Sequence, residues 1–162
     1  MKHNDQHVLP FGQRSASIKA LQCWLGERKF THFITFNFNG PTSLASGRNA
    51  LKNFHARLDR KLLGRNFNKL PADDRSLFFA FPEHVESNLH YHALLRCPDM
   101  RLSVFGLGGI WERLVPAGDV HIIKMEDKAP EDLERVARYI SKEAWKPSAY
   151  DGFIISTEFI PR

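Results

Sequence analysis

His90-Tyr91-His92 places two imidazoles two residues apart in the run Leu89-His90-Tyr91-His92-Ala93-Leu94-Leu95. That run is short, apolar apart from the histidines and bounded by polar residues, so it reads as a strand. Residues i and i+2 of a strand point to the same face, so both rings project side by side, close enough to hold one cation. A structural pair is the weaker reading, because each buried imidazole needs its own hydrogen-bond partner. On the preceding predicted strand Phe79, Phe81 and Glu83 share one face. A register that pairs Glu83 with His90 adds a carboxylate to the imidazoles, and a slip of one residue turns it away. An exposed hairpin-end carboxylate is the alternative for Glu83, and Glu86 is a further candidate if the loop folds back. Two imidazoles and a carboxylate with open positions suit Mn²⁺, and Mg²⁺ less comfortably, while Zn²⁺ or Ni²⁺ could also bind.

A second set of reactive side chains lies in Val136-Ala137-Arg138-Tyr139-Ile140-Ser141-Lys142-Glu143. At about 100° per residue, Leu133, Val136, Ala137, Ile140 and Ala144 form the core stripe of a helix. Tyr139 falls off that stripe, on a face shared with Arg135, Lys142 and Lys146. Tyr139 and Lys142, at i and i+3, are surface neighbours. A phenol beside ammonium and guanidinium groups is the setting of an oxygen nucleophile. The alternative is a tyrosine in a solvated basic face. A separate helix carries Arg48, Lys52, Arg57, Arg60 and Lys61 against a lone acid, Asp59; these cations either line a phosphate track or solvate an outer face.

The elements that must position these residues follow from periodicity and turn signals. Residues 1–14 are a polar lead-in, and a helix is predicted over about 15–28, with Ile18, Leu21, Trp24 and Leu25 on one face. A strand over 32–38 closes at Asn39-Gly40-Pro41, and a long helix follows over 44–63, striped by Leu51, Phe54, Leu58 and Leu62. Strands over about 76–83 and 89–96 form a hairpin. A helix over about 101–114 is weakened by Gly106, Gly108 and Gly109. A strand over 118–125, a helix from Pro130-Glu131-Asp132 to about residue 145, and a last strand over 153–159 complete the chain. This order predicts an α+β fold with a central, largely antiparallel sheet flanked by helices. One domain spans 1–162, with residues 1–30 as an N-terminal helical extension.

Composition narrows the class. The chain has 162 residues, 43% hydrophobic and 25% charged, as in an ordinary soluble globular protein. A net charge of +5 and a pI near 9.4 lean toward an anionic partner. Cys23 and Cys97 make no CxxC pair, which argues against a zinc finger or disulfide scaffold and fits a reducing compartment. No stretch approaches the roughly 20 apolar residues of a membrane span, and no signal-peptide pattern opens the chain, so a cytoplasmic protein without membrane contact is expected. No Walker loop or dinucleotide fingerprint is present, so the chain shows no sign of an ATP motor.

Taken in order, these features resemble the HUH endonuclease superfamily, and within it the single-tyrosine rolling-circle replication initiators (Rep proteins) of plasmids, phages and viruses. Three stretches carry the resemblance: the strand Phe33-Ile34-Thr35-Phe36-Asn37-Phe38 with its central threonine, the His-hydrophobic-His strand around His90 and His92, and Tyr139-Ile140-Ser141-Lys142 as Tyr-x-x-Lys. Together they cover about residues 31–156. The resemblance implies a Rep-nuclease-like fold with an RRM-like core. It implies His90, His92 and Glu83 as ligands of Mn²⁺ or Mg²⁺, Tyr139 as nucleophile, and Lys142 as the group that positions the scissile phosphate. The implied activity is sequence-specific nicking and joining of single-stranded DNA at a replication origin through a 5′-phosphotyrosine. Arg48, Lys52, Arg57, Arg60, Lys61, Arg135 and Lys146 are then candidate DNA contacts. The chain departs from the pattern in its single motif tyrosine, in Asn37 where a second threonine or another β-branched residue is more usual, and in lacking a helicase domain, so helicase and polymerase would be separate partners. Two readings compete. One is a non-catalytic binder of single-stranded nucleic acid that stacks bases on Phe33, Phe36, Phe38, Phe78, Phe79 and Phe81. The other is a metal-dependent phosphodiesterase with water as nucleophile.

Overall fold

A computed structural model describes residues 16, 19, 20, 23, 24, 27–98, 102–125, 130–140, 142, 146, 149 and 151–161. Strands β1 (His32–Asn37), β2 (Leu77–Glu83), β3 (His90–Arg96), β4 (Asp119–Lys124) and β5 (Ile154–Ile155) form one sheet in the order β4-β1-β3-β2-β5. Every pairing is antiparallel. Helices α1 (Leu44–Leu63), α2 (Val104–Leu114) and α3 (Pro130–Ile140) flank it, so the fold is α+β with a central antiparallel sheet, as expected.

Strand parity divides the side chains between two faces. Ile34 and Phe36 of β1, Phe78 and Ala80 of β2, and Tyr91, Ala93 and Leu95 of β3 meet Leu51, Phe54 and Leu58 of α1 and Leu107, Ile110 and Trp111 of α2. Each such apolar side chain contributes about 1.5–3 kcal/mol when fully buried. Gly47 lets α1 lie close on this face, since a Cβ there would stand 2.9 Å from Tyr91 Cε2. On the opposite face Phe33, Leu77, Phe79, Phe81 and Leu94 pack with Phe30, Met125 and Ile140, and Trp24, Val136 and Phe153 cover their edges. Thr35, Glu83, His90 and His92 occupy alternate positions of the same strands and so share this second face.

Three expected boundaries change. The strand expected over 153–159 pairs for only two residues, and Ser156–Phe159 winds into a 3₁₀ turn. Side chains replace the ladder there: buried Ser156 accepts the Phe78 N–H at 2.9 Å, and Glu158 reaches back to accept the Ile155 N–H at 2.9 Å while pairing with Arg48. Helix α3 is described over Pro130–Ile140, and Lys142 sits in a turn, its N–H donating to the Tyr139 carbonyl at 3.3 Å. Helix α2 starts at Val104 because Ser103 caps it, accepting the Gly106 N–H at 3.1 Å. Burial of Leu107, Ile110 and Trp111 outweighs the weak propensity of its glycines. Of the first predicted helix, Ala16, Lys19, Ala20, Cys23 and Trp24 are helical, and Trp24 meets Phe79 edge-on at 4.6 Å. Ile18, Leu21, Leu25, Ala144 and the lead-in over 1–14 lie outside the described residues, as do the side chains of Leu133 and Ala137. Among the described residues no helix is long and apolar enough to cross a membrane.

Candidate metal centre

The β2–β3 hairpin adopts the register that pairs Glu83 with His90 and Phe81 with His92. The carboxylate therefore joins the imidazoles on one face. Glu83 Oε2 lies 2.7 Å from His90 Nε2 and 2.7 Å from His92 Nε2. One ligand atom from each of the three residues falls within 4.8 Å of the others, and this cluster could bind a metal ion. Glu86 stays exposed in the turn over 84–88 and does not join it.

Both rings are held from behind. His92 Nδ1 meets Thr35 Oγ1 at 3.0 Å, and Thr35 is the residue that faces His92 across β1 and β3. His90 Nδ1 donates to the Asn88 carbonyl at 3.2 Å. The carbonyl requires a proton on His90 Nδ1, and both partners aim Nε2 at the shared point. Both His90 nitrogens face acceptors only, a carbonyl and a carboxylate. The ring fits this geometry if each nitrogen carries a proton, or if a cation takes the place of the Nε2 proton.

The electrostatics agree. Burial would raise the Glu83 carboxyl, but hydrogen bonds from Lys142, His92 and His90 outweigh it and draw it from 4.5 down to about 2. Burial pushes the His92 imidazole below its usual 6.5 despite the neighbouring carboxylate, which favours the neutral ring a metal ligand must be. Lys142 Nζ stands 2.5 Å from the second oxygen, Glu83 Oε1.

Tyr139 completes the corner. Its ring is 46% exposed, 5.1 Å from the His92 ring and edge-on to Phe33 at 6.4 Å. Lys142 Nζ lies 4.3 Å from its centroid, so the pair stay neighbours although the helix stops between them. Phe33 stacks on His92 at 5.8 Å and walls the site on the apolar side. Thus Glu83, His90, His92, Tyr139 and Lys142 are brought together.

The basic residues of α1 are not. Helix α1 covers the other face of the sheet, so Arg48, Lys52, Arg57, Arg60 and Lys61 stand behind the centre rather than along a track through it. Arg135 is exposed and pairs with Asp132 at 3.3 Å, and Lys146 is exposed. Asp59, expected among the surface charges of α1, is instead fully buried. It accepts from Arg75 Nε at 2.7 Å, from the Ser76 N–H at 3.1 Å and from Ser76 Oγ at 2.5 Å, with His55 Nε2 at 3.4 Å. His55 also donates to the Ser76 carbonyl at 3.0 Å, and burial pushes its imidazole below 6.5.

Residue types alone did not reveal Thr35 and Asn88 as the groups that orient the rings. Strand parity puts Thr35 on the right face, but its partner depends on a pairing across 57 residues. Asn88 acts through its backbone, which leaves no signal in residue type.

No protein-family model matches the chain, and no curated protein matches it. Among solved structures it is similar to the hypothetical protein ORF119 from Sulfolobus islandicus rod-shaped virus 1, at 17% identity and a TM-score of 0.51. The match covers 78% of this chain and 92% of that one. At this identity the likeness concerns the α+β fold.

Proposed function

We propose that the protein is an endonuclease of the HUH type that cuts and rejoins single-stranded DNA through Tyr139. One observation carries this reading: a Glu-His-His donor set, a half-exposed tyrosine 5.1 Å from His92 and an ammonium group converge at one corner of the sheet. Glu83 Oε2 and the two Nε2 atoms would hold a divalent ion. A mixed oxygen and nitrogen set with open positions suits Mn²⁺ or Mg²⁺. Such an ion supplies Lewis-acid polarisation of the scissile phosphate.

The chain's own residues do the rest. Thr35 and Asn88 hold the rings so that both Nε2 atoms face inward. Tyr139 Oη attacks phosphorus, so an O–P bond forms as the P–O3′ bond breaks. The phenolic proton passes to water, to which the ring is open, and the departing 3′ oxygen takes up a proton. Lys142, between Glu83 and the Tyr139 ring, offsets negative charge on the phosphate. The resulting 5′-phosphotyrosine keeps the phosphodiester energy, so a 3′-hydroxyl can reverse the step and join strands without ATP. Initiation of rolling-circle replication of a plasmid or phage in the cytoplasm, with separate helicase and polymerase, is the setting this chemistry fits. The base-stacking alternative has less support, because all six strand phenylalanines it needs are buried.

A pool of 3′-labelled single-stranded oligonucleotides incubated with Mn²⁺ tests the proposal. A covalent adduct is expected on denaturing gels, lost in Tyr139→Phe and in the His90→Ala/His92→Ala double variant. Cleavage that survives in Tyr139→Phe overturns the tyrosine mechanism in favour of a water nucleophile.

A further inference from the structure

The positive charge of the chain is concentrated in one segment. Residues 40–72 hold seven of the 23 lysines and arginines and a single acid, Asp59; this segment is +6 where the whole chain is +5, and the remainder sums to −1. The fold then removes that acid from the surface, since Asp59 is buried against Arg75 and Ser76. What α1 shows to solvent is Arg48, Lys52, Arg57, Arg60 and Lys61, with Asn49 and Asn53 among them and Arg65 just past the Gly64 cap. Arg48 pairs with Glu158. Exposed helices normally relieve such charge with acids at i+4, but here Arg48 and Lys52, and Arg57 and Lys61, are like-charged i,i+4 pairs, which destabilise a helix until a polyanion neutralises them. The 20 residues of α1 make a rod about 30 Å long, anchored by Leu51, Phe54 and Leu58. It faces away from the metal centre, on the other side of the sheet.

We infer that the outer face of α1 is a second nucleic-acid surface, one that grips the phosphate backbone of duplex DNA independently of the metal centre. The duplex is favoured over a single strand by what this face lacks. Sequence-tolerant binding of single strands stacks bases on aromatic rings. The aromatic residue of α1, Phe54, is buried, and the ring beside Arg48, Phe159, is partly buried at one end of the helix. Backbone binding needs only cations along a track and amide donors such as Asn49 and Asn53. The choice of DNA rests on the function proposed above, as the parental duplex beside a nicked strand; the grip itself uses neither Tyr139 nor a metal.

The test is fluorescence anisotropy of the full chain with a labelled 20-base-pair duplex of random sequence in EDTA, across about 50–200 mM salt. Binding should weaken with a log–log slope of about −0.9 per phosphate neutralised. Arg57→Glu/Arg60→Glu/Lys61→Glu should lower affinity at 100 mM salt at least tenfold and make the slope shallower by about 2–3, with no fall in the thermal midpoint. The milder Arg57→Gln/Arg60→Gln/Lys61→Gln should give an intermediate loss, and Glu83→Gln should bind like wild type. Unchanged duplex affinity in the charge-reversed variant overturns the inference. So does equal affinity for a single strand of the same length, or binding to anionic phosphatidylserine vesicles without binding to duplex. If adduct formation fails while duplex binding is lost in the charge-reversed variant, the α1 surface stands and the nicking reaction falls. Adducts combined with duplex binding that ignores these charges give the reverse.

Discussion

Among the described residues two carboxylates are buried, Asp59 and Glu83, and each is met by imidazole and by a cation. They differ in what stands around them. Asp59 is closed in by donors that are themselves buried, Arg75 and the Ser76 N–H and hydroxyl, with the buried His55 ring beside them. Glu83 is approached by two rings tied from behind by Thr35 and Asn88, and its cation, Lys142, is half exposed beside the exposed Tyr139. Burial of an acid is therefore a poor sign of chemistry by itself. A better one is a buried acid on which oriented, deprotonatable groups converge, with one side still open to a substrate. The closed node holds α1 against the start of β2, and the open one leaves its cation and a phenol facing solvent.

The largest expected effect lies at the closed node. Asp59→Ala leaves the Arg75 guanidinium, the Ser76 N–H and the Ser76 hydroxyl buried without their acceptor. Breaking a buried ion pair in this way costs about 3–5 kcal/mol. Glu83→Ala should cost less, about 1–2 kcal/mol, because Lys142 and the edge of His90 can turn to water. Urea unfolding of both variants without metal measures the difference. Equal losses would break the distinction between structural node and site.

Metal sharpens the same contrast. With Mn²⁺ at a hundredfold excess over its dissociation constant, an ion that binds only the folded chain stabilises it by about 2.7 kcal/mol. Glu83→Gln removes one of three ligands and should lose most of that increment, whereas Asp59→Asn, though less stable, should keep it. Differential scanning calorimetry with and without Mn²⁺ reads the increments. A gain that persists in Glu83→Gln would place the ion elsewhere.

How much of this could be read beforehand depends on how far apart the partners lie along the chain. Helix α1 was legible to the residue, because Ser43 caps its start and Gly64, at φ +84°, ends it. The shared face of His90 and His92 follows from strand parity alone. Glu83 was legible only as a condition, since parity allows two registers and the hairpin turn selects one. Asp59 read as a surface acid because its partners, Arg75 and Ser76, arrive only when the chain returns to start β2. The last strand failed for a similar reason: Ser156 and Glu158 make side-chain bonds to Phe78 and Arg48, far back in the chain, and these outcompete the ladder. Position of the cations followed the same rule. Their exposure on α1 was evident, but which face of the sheet α1 covers was not.

Acid should reach the closed node through His55, and the open one through His92 and then, at lower pH, through Glu83. His55 is held neutral by burial, so the unfolded chain binds its proton first. Stability from this group is complete above about pH 6.5 and is lost as pH falls from there through the lowered folded value, at no more than about 1.4 kcal/mol per pH unit. His92, lowered by burial as well, adds a loss of the same sign in metal-free protein. Glu83 is also lowered, to about 2, so its contribution is complete above pH 4.5 and disappears only between 4.5 and 2. Urea midpoints of the metal-free protein should therefore decline in two stages, one beginning near pH 6.5 and one below 4.5. His55→Gln keeps an amide donor for the Ser76 carbonyl but has nothing to titrate, so it should remove the His55 share of the first stage, leave the His92 share, and leave the second stage unchanged. If its profile between pH 6.5 and 5 matches the wild type, the closed node has no part in the acid response.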